Sequence, residues 1–294
     1  MDFMASTDIT AGSDAVYCLE QVRRFDRDRY LAALFAPGHA RADLFALYAF
    51  NLELAKIREV VREPMMGLIR LQWWRDCIGE IYGGTARRHQ VVQPLAQAVE
   101  RRRLPRDLFE RLIDAREADL DGAPPADLAA LRLYAEATGG TLLELAARIT
   151  AKSQESEPAA LQAARDLGTA WALIGLARAV PFHTRARRVY VPRALLDEAG
   201  VPLEDLLELR PVPGLSHAVA RICGEAQTLL SQARDALKQP ARAMFPVFLI
   251  AVTARRYLAD LEQAGHDVFH PALQTAAVSS PWPLALAWLR GRVW

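Results

Sequence analysis

Several features that mark particular classes of protein are scarce or absent in this chain of 294 residues. Lysine is nearly absent, with only three residues, and the formal net charge is +1 at pH 7. The short arginine runs at 101–103 and 185–188 are therefore not part of a large basic field. Because proteins bind nucleic acid chiefly through such fields, we expect no nucleic-acid partner.

Cysteine is also scarce. Cys18, Cys77 and Cys223 are odd in number, widely spaced and free of any CxxC motif. Disulfide frameworks and zinc sites use paired, closely spaced cysteines, so these three predict reduced and mostly buried thiols rather than a metal site. Thiols of this kind are typical of a reducing compartment, and we expect a cytoplasmic protein.

Long hydrophobic runs are missing as well. The apolar passage "AMFPVFLIAVTA" at 243–254 is bounded by arginine on both sides. A helix of that length spans about 18 Å, whereas the bilayer core is roughly 30 Å thick, so we predict a buried helix. The N-terminal "MDFMASTDITAGSD" has neither the basic region nor the apolar region of a targeting peptide. We expect residues 1–13 to be a disordered tail and residues 14–294 to form one domain.

Helical spacing of apolar residues dominates the rest of the chain. Strand patterns are nearly absent, and "RVYVP" at 188–192 is the single short extended candidate. The proline-rich passage 181–213 is predicted to be the longest non-helical segment, of a kind that often carries function. We therefore predict an all-α, single-domain helical bundle, with helices at 14–34, 41–62, 65–82, 90–102, 106–121, 127–149, 158–180, 214–236, 240–263 and 281–290.

Two stretches stand out by composition. In "YAFNLELAKIRE" (48–59) an aromatic pair is followed by polar residues that form either a site or a solvated face: Asn51, Glu53, Lys56, Arg58 and Glu59. In "GTAWALIGLARAVPFHTRARRVYVP" (168–192) small residues recur along one helix, where they permit tight helix packing or a bulky neighbour. The loop that follows contains a group suited to an anionic head group or to solvent: His183, Arg185, Arg187, Arg188 and Tyr190.

The order and spacing of five segments are similar to one known family. They are "AALFAPGHARADLFALYAF", "WWRDCIGEIYGG", "LIDAREADL", "LGTAWALIGLARAV" and "RRVYVP". The chain resembles the squalene and phytoene synthases, the head-to-head prenyl synthases, over about residues 15–265. This resemblance implies an isoprenoid-synthase-type helical bundle around a central cavity.

In that family, as the resemblance implies, two DxxxD motifs on facing helices hold Mg²⁺ against a prenyl diphosphate. Residues i and i+4 share a helix face, so both carboxylates of a motif reach one metal cluster. The corresponding positions here are 55–59 and 179–183, and the residues present are Ala55, Glu59, Ala179 and His183. Lys56 also stands where a further aspartate is expected, and its charge disfavours Mg²⁺. We expect no catalytic residue, no metal and no cofactor.

Other positions match residues that the synthases retain: Arg41, Tyr48, Phe50, Arg178, Arg188 and Tyr190. With Asn51, Glu59, Trp171 and His183 they are our candidates for a remaining ligand pocket or cavity lining. An alternative for Arg178 is a purely structural ion pair with Glu59 or another acid across the former cavity. The acidic group at 114–121 is spread too far along its helix to be a replacement metal site.

The segment "ALYAFNLELAKIREVVREPMMGLIRLQWWRDCIGEIY" resembles most closely the branch of this family that contains the assembly factor of respiratory complex I. We therefore expect a bacterial, non-catalytic relative whose partner is a complex I subunit or assembly intermediate at the membrane surface. Two alternatives stay open. One is a Mg²⁺-dependent transferase that condenses farnesyl or geranylgeranyl diphosphate, and the other is an isoprenoid- or lipid-binding protein.

The C-terminal "PWPLALAWLRGRVW" combines tryptophan with arginine, notably Trp288, Arg290, Arg292 and Trp294. This composition suits a peripheral contact with the inner membrane. The alternative is a final helix that caps the core.

Overall fold

The computed structural model describes residues 12–61, 63–151, 158–210, 212–237, 240–274 and 280–294. Over these residues the protein is an all-α bundle without a strand, so "RVYVP" is not extended sheet. The tail predicted for residues 1–13 lies outside the described residues as far as residue 11, and Ser13 already belongs to a helix.

The first half of the described chain forms helices that agree closely with the predicted spans. They are α1 (Ser13–Phe25), α2 (Arg27–Ala33), α3 (Gly38–Val60), α4 (Pro64–Tyr82), α5 (Val92–Arg102), α6 (Arg106–Ala115) and α7 (Ala118–Asp121). The helix predicted at 14–34 is divided at Asp26, whose side chain accepts a hydrogen bond from the backbone N–H of Arg29 at 3.2 Å and thereby caps α2.

The second half begins with a long irregular helix and ends with the C-terminal cap. Its elements are α8 (Leu128–Ala135), a π-helical turn (Glu136–Gly140), α9 (Thr141–Thr150), α10 (Pro158–Arg178), α11 (Val180–Arg185), α12 (Arg193–Glu198), α13 (Leu203–Leu207), α14 (Leu215–Ala236), α15 (Phe245–Phe248), α16 (Ile250–Gln263), α17 (Pro271–Gln274) and α18 (Pro281–Arg290). The buried passage 243–254 lies mainly in α15 and α16, as predicted.

The prediction that 181–213 is non-helical was wrong, because α11, α12 and α13 lie in it. Proline lacks only the backbone N–H that the first turn of a helix leaves unused, so it is tolerated there. Pro181 stands in the first turn of α11, while Pro192 and Pro202 directly precede α12 and α13. In this segment proline marks helix starts rather than a loop.

The centre of the bundle is formed by α3, α9 and α10. Both α3 and α10 pack against α9, and α10 also packs against α14 and the π-helical turn. The backbone of Gly168 on α10 approaches that of Gly139 so closely that a Cβ at Gly168 would collide with the carbonyl oxygen of Gly139. At this crossing the small residues of α10 serve tight helix packing.

The three cysteines are free and buried, as predicted. Burial raises the pKa of the Cys18 and Cys223 thiols to about 12 and that of the Cys77 thiol to about 11. The thiolate is the reactive form of cysteine, so these side chains are inert parts of the core.

Within the part of the chain that the structure describes, no helix combines the length and the apolar character needed to cross a bilayer. The C-terminal helix α18 covers the core. Trp288 packs against Phe35 and Phe245, and the indole N–H of Trp294 donates to the carbonyl of Leu237 at 3.0 Å. These two tryptophans therefore belong to the cap, which is the second of the two interpretations of this segment.

Candidate functional site

The side chains of α3 divide between the core and the centre of the bundle. Phe50 is fully buried and meets the rings of Trp74 and Phe109 edge-on at 5.2 and 5.7 Å. It is a core residue rather than part of a pocket. Tyr48 and Asn51 are also buried, but both contact charged groups from elsewhere in the chain: Tyr48 contacts Arg29 on α2, and Asn51 contacts Arg116 in the turn between α6 and α7.

The first metal-motif position lies on the last turns of α3. Lys56 is directed towards α1, where its Nζ donates to Gln21 Oε1 at 2.9 Å and lies 3.9 Å above the ring of Phe25. Glu59 is exposed to solvent, and Ala55 offers no ligand atom. The polar residues of 48–59 thus point in several directions and do not form one face.

The second metal-motif position falls at the junction of α10 and α11. Its Ala179 also offers no ligand atom. The His183 ring lies 4.7 Å from the ring of Tyr190, and its Nδ1 is buried without a hydrogen-bond partner. Burial, and then the charge of Arg188, lowers the pKa of His183 to about 4. The imidazole is therefore neutral at pH 7.

These residues do not fit a Mg²⁺ cluster. Magnesium prefers carboxylate and water oxygens in octahedral geometry. The motif positions provide two methyl groups, a neutral imidazole and one exposed carboxylate, with the Lys56 ammonium directed elsewhere. Among the described residues, no three His, Cys, Asp or Glu side chains are grouped so that they could hold a metal ion.

A largely buried polar cluster, which we call the central network, lies beside these positions. It consists of Asn51, Arg116, Asp119, Tyr134 and Tyr190. The Asp119 carboxylate accepts hydrogen bonds from the Tyr134 hydroxyl at 2.6 Å, the Tyr190 hydroxyl at 2.8 Å and Arg116 Nη1 at 3.3 Å. Three donors therefore satisfy a carboxylate that is only 8% exposed.

Arg116 connects the two sides of the central network. Its Nη1 also donates to the Tyr134 hydroxyl at 3.1 Å, and its Nη2 donates to Asn51 Oδ1 on α3 at 3.2 Å. Burial disfavours the charge, yet Tyr134 and Asp119 hold the pKa of the guanidinium above its ordinary value. Arg116 is thus a permanent cation balanced by Asp119.

The sequence did not identify Arg116, Asp119 or Tyr134 as site residues. The acidic group at 114–121 is divided in the structure, because Asp114 and Glu117 pair with Arg75 on α4 at the surface, whereas Asp119 points inward. The available signal was the i, i+3 spacing of Arg116 and Asp119 within "LIDAREADL".

An arginine and aromatic side chains lie between α3 and α10. The Arg29 guanidinium is 5.8 Å from the Tyr48 ring on α3 and 6.0 Å from the Trp171 ring on α10. It is also paired with Asp26 at 2.6 Å, and both side chains are largely buried. The two helices therefore face one central space, as the family resemblance implies.

Arg178 packs against an aromatic ring on α16. Its guanidinium lies 3.5 Å above the ring of Tyr257, which also stacks on Trp171 at 5.7 Å. Among the described residues no ion pair joins Arg178 to exposed Glu59 or to another acid; the guanidinium packs on the ring instead, and the ion pair considered from the sequence is not formed.

The remaining candidates, Arg41 and Arg188, donate hydrogen bonds to backbone carbonyls. Arg41 Nη2 donates to the carbonyl of Ala36 at 3.1 Å, and Arg188 Nη2 donates to that of Arg58 at 3.1 Å. The second bond ties the segment after α11 to the end of α3. No candidate residue lines the cleft of about 490 Å³ between α14 and α16 or the cleft of about 870 Å³ near Gly12.

The protein is an all-α bundle whose central helices α3 and α10 face a space filled by arginine and aromatic side chains, and its fold is that of solved squalene and dehydrosqualene synthases. The family model of squalene/phytoene synthases matches residues 22–282, and the chain belongs to that family. A solved dehydrosqualene synthase in complex with ligand superimposes with a TM-score of 0.78 at 16% identity, covering 94% of each chain. At that identity, the likeness shows the fold alone.

Two relatives differ in what their names describe. The chain is 33% identical over 283 residues to NADH dehydrogenase (ubiquinone) complex I, assembly factor 6 of Bos taurus. The aligned region covers 96% of this chain and 84% of the relative. The chain is 29% identical over 223 residues to phytoene synthase of Cereibacter sphaeroides, covering 69% of this chain and 58% of the relative.

Proposed function

We propose that this protein assists the assembly of respiratory complex I and does not catalyse prenyl transfer. The observation that carries the proposal is the donor set at the two metal-motif positions, where a divalent ion finds one exposed carboxylate, Glu59. The similarity to the complex I assembly factor of Bos taurus over nearly the whole chain supports the same function.

The chemistry of prenyl transfer explains why this donor set matters. Ionisation of an allylic diphosphate places negative charge on the leaving group, and bound metal ions provide most of its stabilisation. Asp119 is the buried carboxylate of the central network, and three hydrogen-bond donors already satisfy it. A metal would have to displace a buried guanidinium and two phenols.

The partner in this proposal is a complex I subunit or assembly intermediate, bound through protein contacts. Because complex I is a membrane enzyme, the protein would work as a peripheral component at the membrane surface. The central network then has a structural role, since it fixes α3, α7, α8 and the segment after α11 relative to one another.

Two parallel measurements test the proposal. In a strain that lacks the gene, we expect membrane NADH dehydrogenase activity to fall and the unmodified gene to restore it. The purified protein, incubated with labelled farnesyl or geranylgeranyl diphosphate and Mg²⁺, is expected to form no condensed product. A head-to-head product together with normal dehydrogenase activity in the deletion strain would instead establish the transferase alternative.

A second candidate function is the binding of an isoprenoid or lipid through an anionic head group without metal. It is favoured by four buried nitrogen atoms that have no hydrogen-bond partner: Nε of Arg58, Arg116 and Arg188, and Nδ1 of His183. Contacts link these residues through Tyr190, Asp119 and the Arg58 carbonyl. Guanidinium groups bind phosphate well.

Calorimetric titration of the protein with farnesyl diphosphate in the presence of EDTA tests this second candidate. Binding that weakens at least about tenfold in Arg188→Gln would support it, since a charge-assisted hydrogen bond contributes about 1.5–3 kcal/mol. Arg185→Gln, which changes an exposed arginine of α11, is the matched control. Absence of heat at millimolar ligand would exclude it.

A further inference from the structure

The outward face of α18 is apolar and has no partner within the described chain. Trp282, Leu286 and Leu289 follow one another at i, i+4 and i+7, so they lie on one side of the helix. Their exposed fractions are 78%, 46% and 77%. Trp282 and Leu289 are the two most exposed of the large hydrophobic residues in the described part of the protein.

The opposite face of α18 already serves the core. Leu284 and Ala287 are buried, and Trp288 contacts Phe35 and Phe245. A helix on the surface of a soluble bundle normally pairs one apolar face with a polar one. This helix is apolar on both faces, and packing within the described chain accounts for only the inner one.

Three exposed arginines lie at or beside α18. Arg290 and Arg292 are exposed at the end of α18. Arg242 is also exposed, and its guanidinium lies 4.1 Å above the ring of Trp288 and donates from Nη1 to the Trp288 carbonyl at 3.2 Å. No aspartate or glutamate occurs from residue 268 to residue 294.

We propose that the outer face of α18 docks in the plane of an anionic lipid bilayer. Tryptophan and leucine would enter the boundary between head groups and acyl chains, where the amphipathic indole is stable. The three arginines would lie at the level of the phosphates, which attract cations at a negatively charged membrane surface. This inference deepens the proposed function, on which it rests for its cellular setting.

A second exposed apolar surface competes for this role and is less suitable. Met65, Met66 and Ile69 are exposed at the start of α4. Two exposed carboxylates, Glu59 and Glu63, lie next to them in the chain. Acidic groups are repelled by an anionic membrane, whereas α18 carries none.

Co-sedimentation of the full-length protein with vesicles tests the proposal. We expect binding to vesicles of phosphatidylcholine with phosphatidylglycerol and much weaker binding to phosphatidylcholine alone. Changing Trp282, Leu286 and Leu289 to serine together should lower the affinity at least about tenfold, because apolar area is then lost from the bilayer contact. Arg290→Gln and Arg292→Gln should each cost about fivefold.

Two further variants test whether vesicle binding depends on α18 in particular. Leu133→Ser removes a leucine on α8 with a similar exposed fraction, 67%, and should leave vesicle binding unchanged. Trp282→Phe should retain most of the binding but lose the blue shift of tryptophan emission that anionic vesicles produce in the unmodified protein. All these side chains are exposed, so circular dichroism should show the unmodified fold in each variant.

Several results would overturn the proposal. They are failure of the unmodified protein to bind anionic vesicles, equal binding by the triple serine variant, and loss of binding in Met65→Ser/Ile69→Ser instead. A concentration-dependent dimer that the triple variant abolishes would identify a second copy as the occupant. Because the vesicle assay uses purified protein, it can succeed even if dehydrogenase activity is normal in the deletion strain, which would contradict only the proposed function.

Discussion

The central network and the metal-motif positions are neighbouring regions that differ in the partners of their polar side chains. In the network, the carboxylate of Asp119 is held by three donors and the guanidinium of Arg116 by partners on two sides. At the motif positions, Lys56 points to α1, Glu59 points to solvent and His183 is neutral. Polar groups alone therefore do not make a metal site, because a metal needs carboxylates that no other cation has neutralised.

The central network also contributes to the stability of the bundle centre. A buried ion pair stabilises a fold only when hydrogen bonds satisfy its remaining polar atoms. The central network meets this condition for Asp119, and its members come from α3, the turn between α6 and α7, α7, α8 and the segment after α11. Exposed ion pairs on the same part of the chain, such as Arg75 with Asp114, contribute little because water screens them.

The largest effect is expected from Asp119→Ala. The substitution leaves the Arg116 charge buried without its counterion, and we expect the free energy of unfolding to fall by about 3–5 kcal/mol. Urea unfolding followed by circular dichroism measures it. The matched control is Asp114→Ala, which removes another arginine-paired aspartate from an exposed position and should cost less than about 1 kcal/mol. Equal losses would contradict the distinction between the two regions.

A pH dependence of stability should follow from His183. Its pKa is about 4 in the folded protein against an ordinary value of 6.5, so the folded state prefers the neutral ring. This contribution is complete above pH 6.5 and is lost as the pH falls towards 4, by up to about 3 kcal/mol. His183→Gln should flatten the stability profile between pH 6.5 and 4, measured as the difference from the unmodified protein at each pH. Parallel profiles would show that His183 is not held neutral.

Removing single phenol groups should have intermediate effects. Tyr134→Phe and Tyr190→Phe each delete one hydrogen bond to the Asp119 carboxylate, and we expect a loss of about 1–2 kcal/mol for each. Because both bonds share one acceptor, the double variant should deviate from additivity. Additive losses in urea unfolding would mean that the two hydroxyl groups act independently of the network.

The smallest effect is expected at the former metal motif. Lys56→Met keeps the aliphatic stem but removes the hydrogen bond to Gln21 and the cation–π contact with Phe25, at a cost of about 0.5–1 kcal/mol. Thermal unfolding is sensitive enough to detect it. A loss as large as that of Asp119→Ala would place Lys56 in the structural centre, in disagreement with its orientation towards α1.

The amino-acid sequence by itself determined the all-α class, most of the long helices, the buried thiols and the family. These properties depend on local periodicity and on the order of recognisable segments, both of which can be read along the chain. It also located Asn51, His183, Arg188 and Tyr190 in the central region, but Arg116, Asp119 and Tyr134 were missed. The periodicity of a helix in the sequence shows which of its residues are polar. It does not show which side chains from distant parts of the chain those residues contact.

Only the tertiary structure decided which face of each helix turned inward. Asn51 and Arg116 are 65 residues apart, and Asp119 and Tyr190 are 71 apart, so their contacts exist only after the helices have packed. The sequence left Trp288, in α18, and Trp294, just after it, as either membrane or capping residues; packing half-buried both against the core and left Trp282 and Leu289 outside. The rotation of a helix about its axis is set by the total burial against its neighbours, and an apolar sequence on both faces does not specify it.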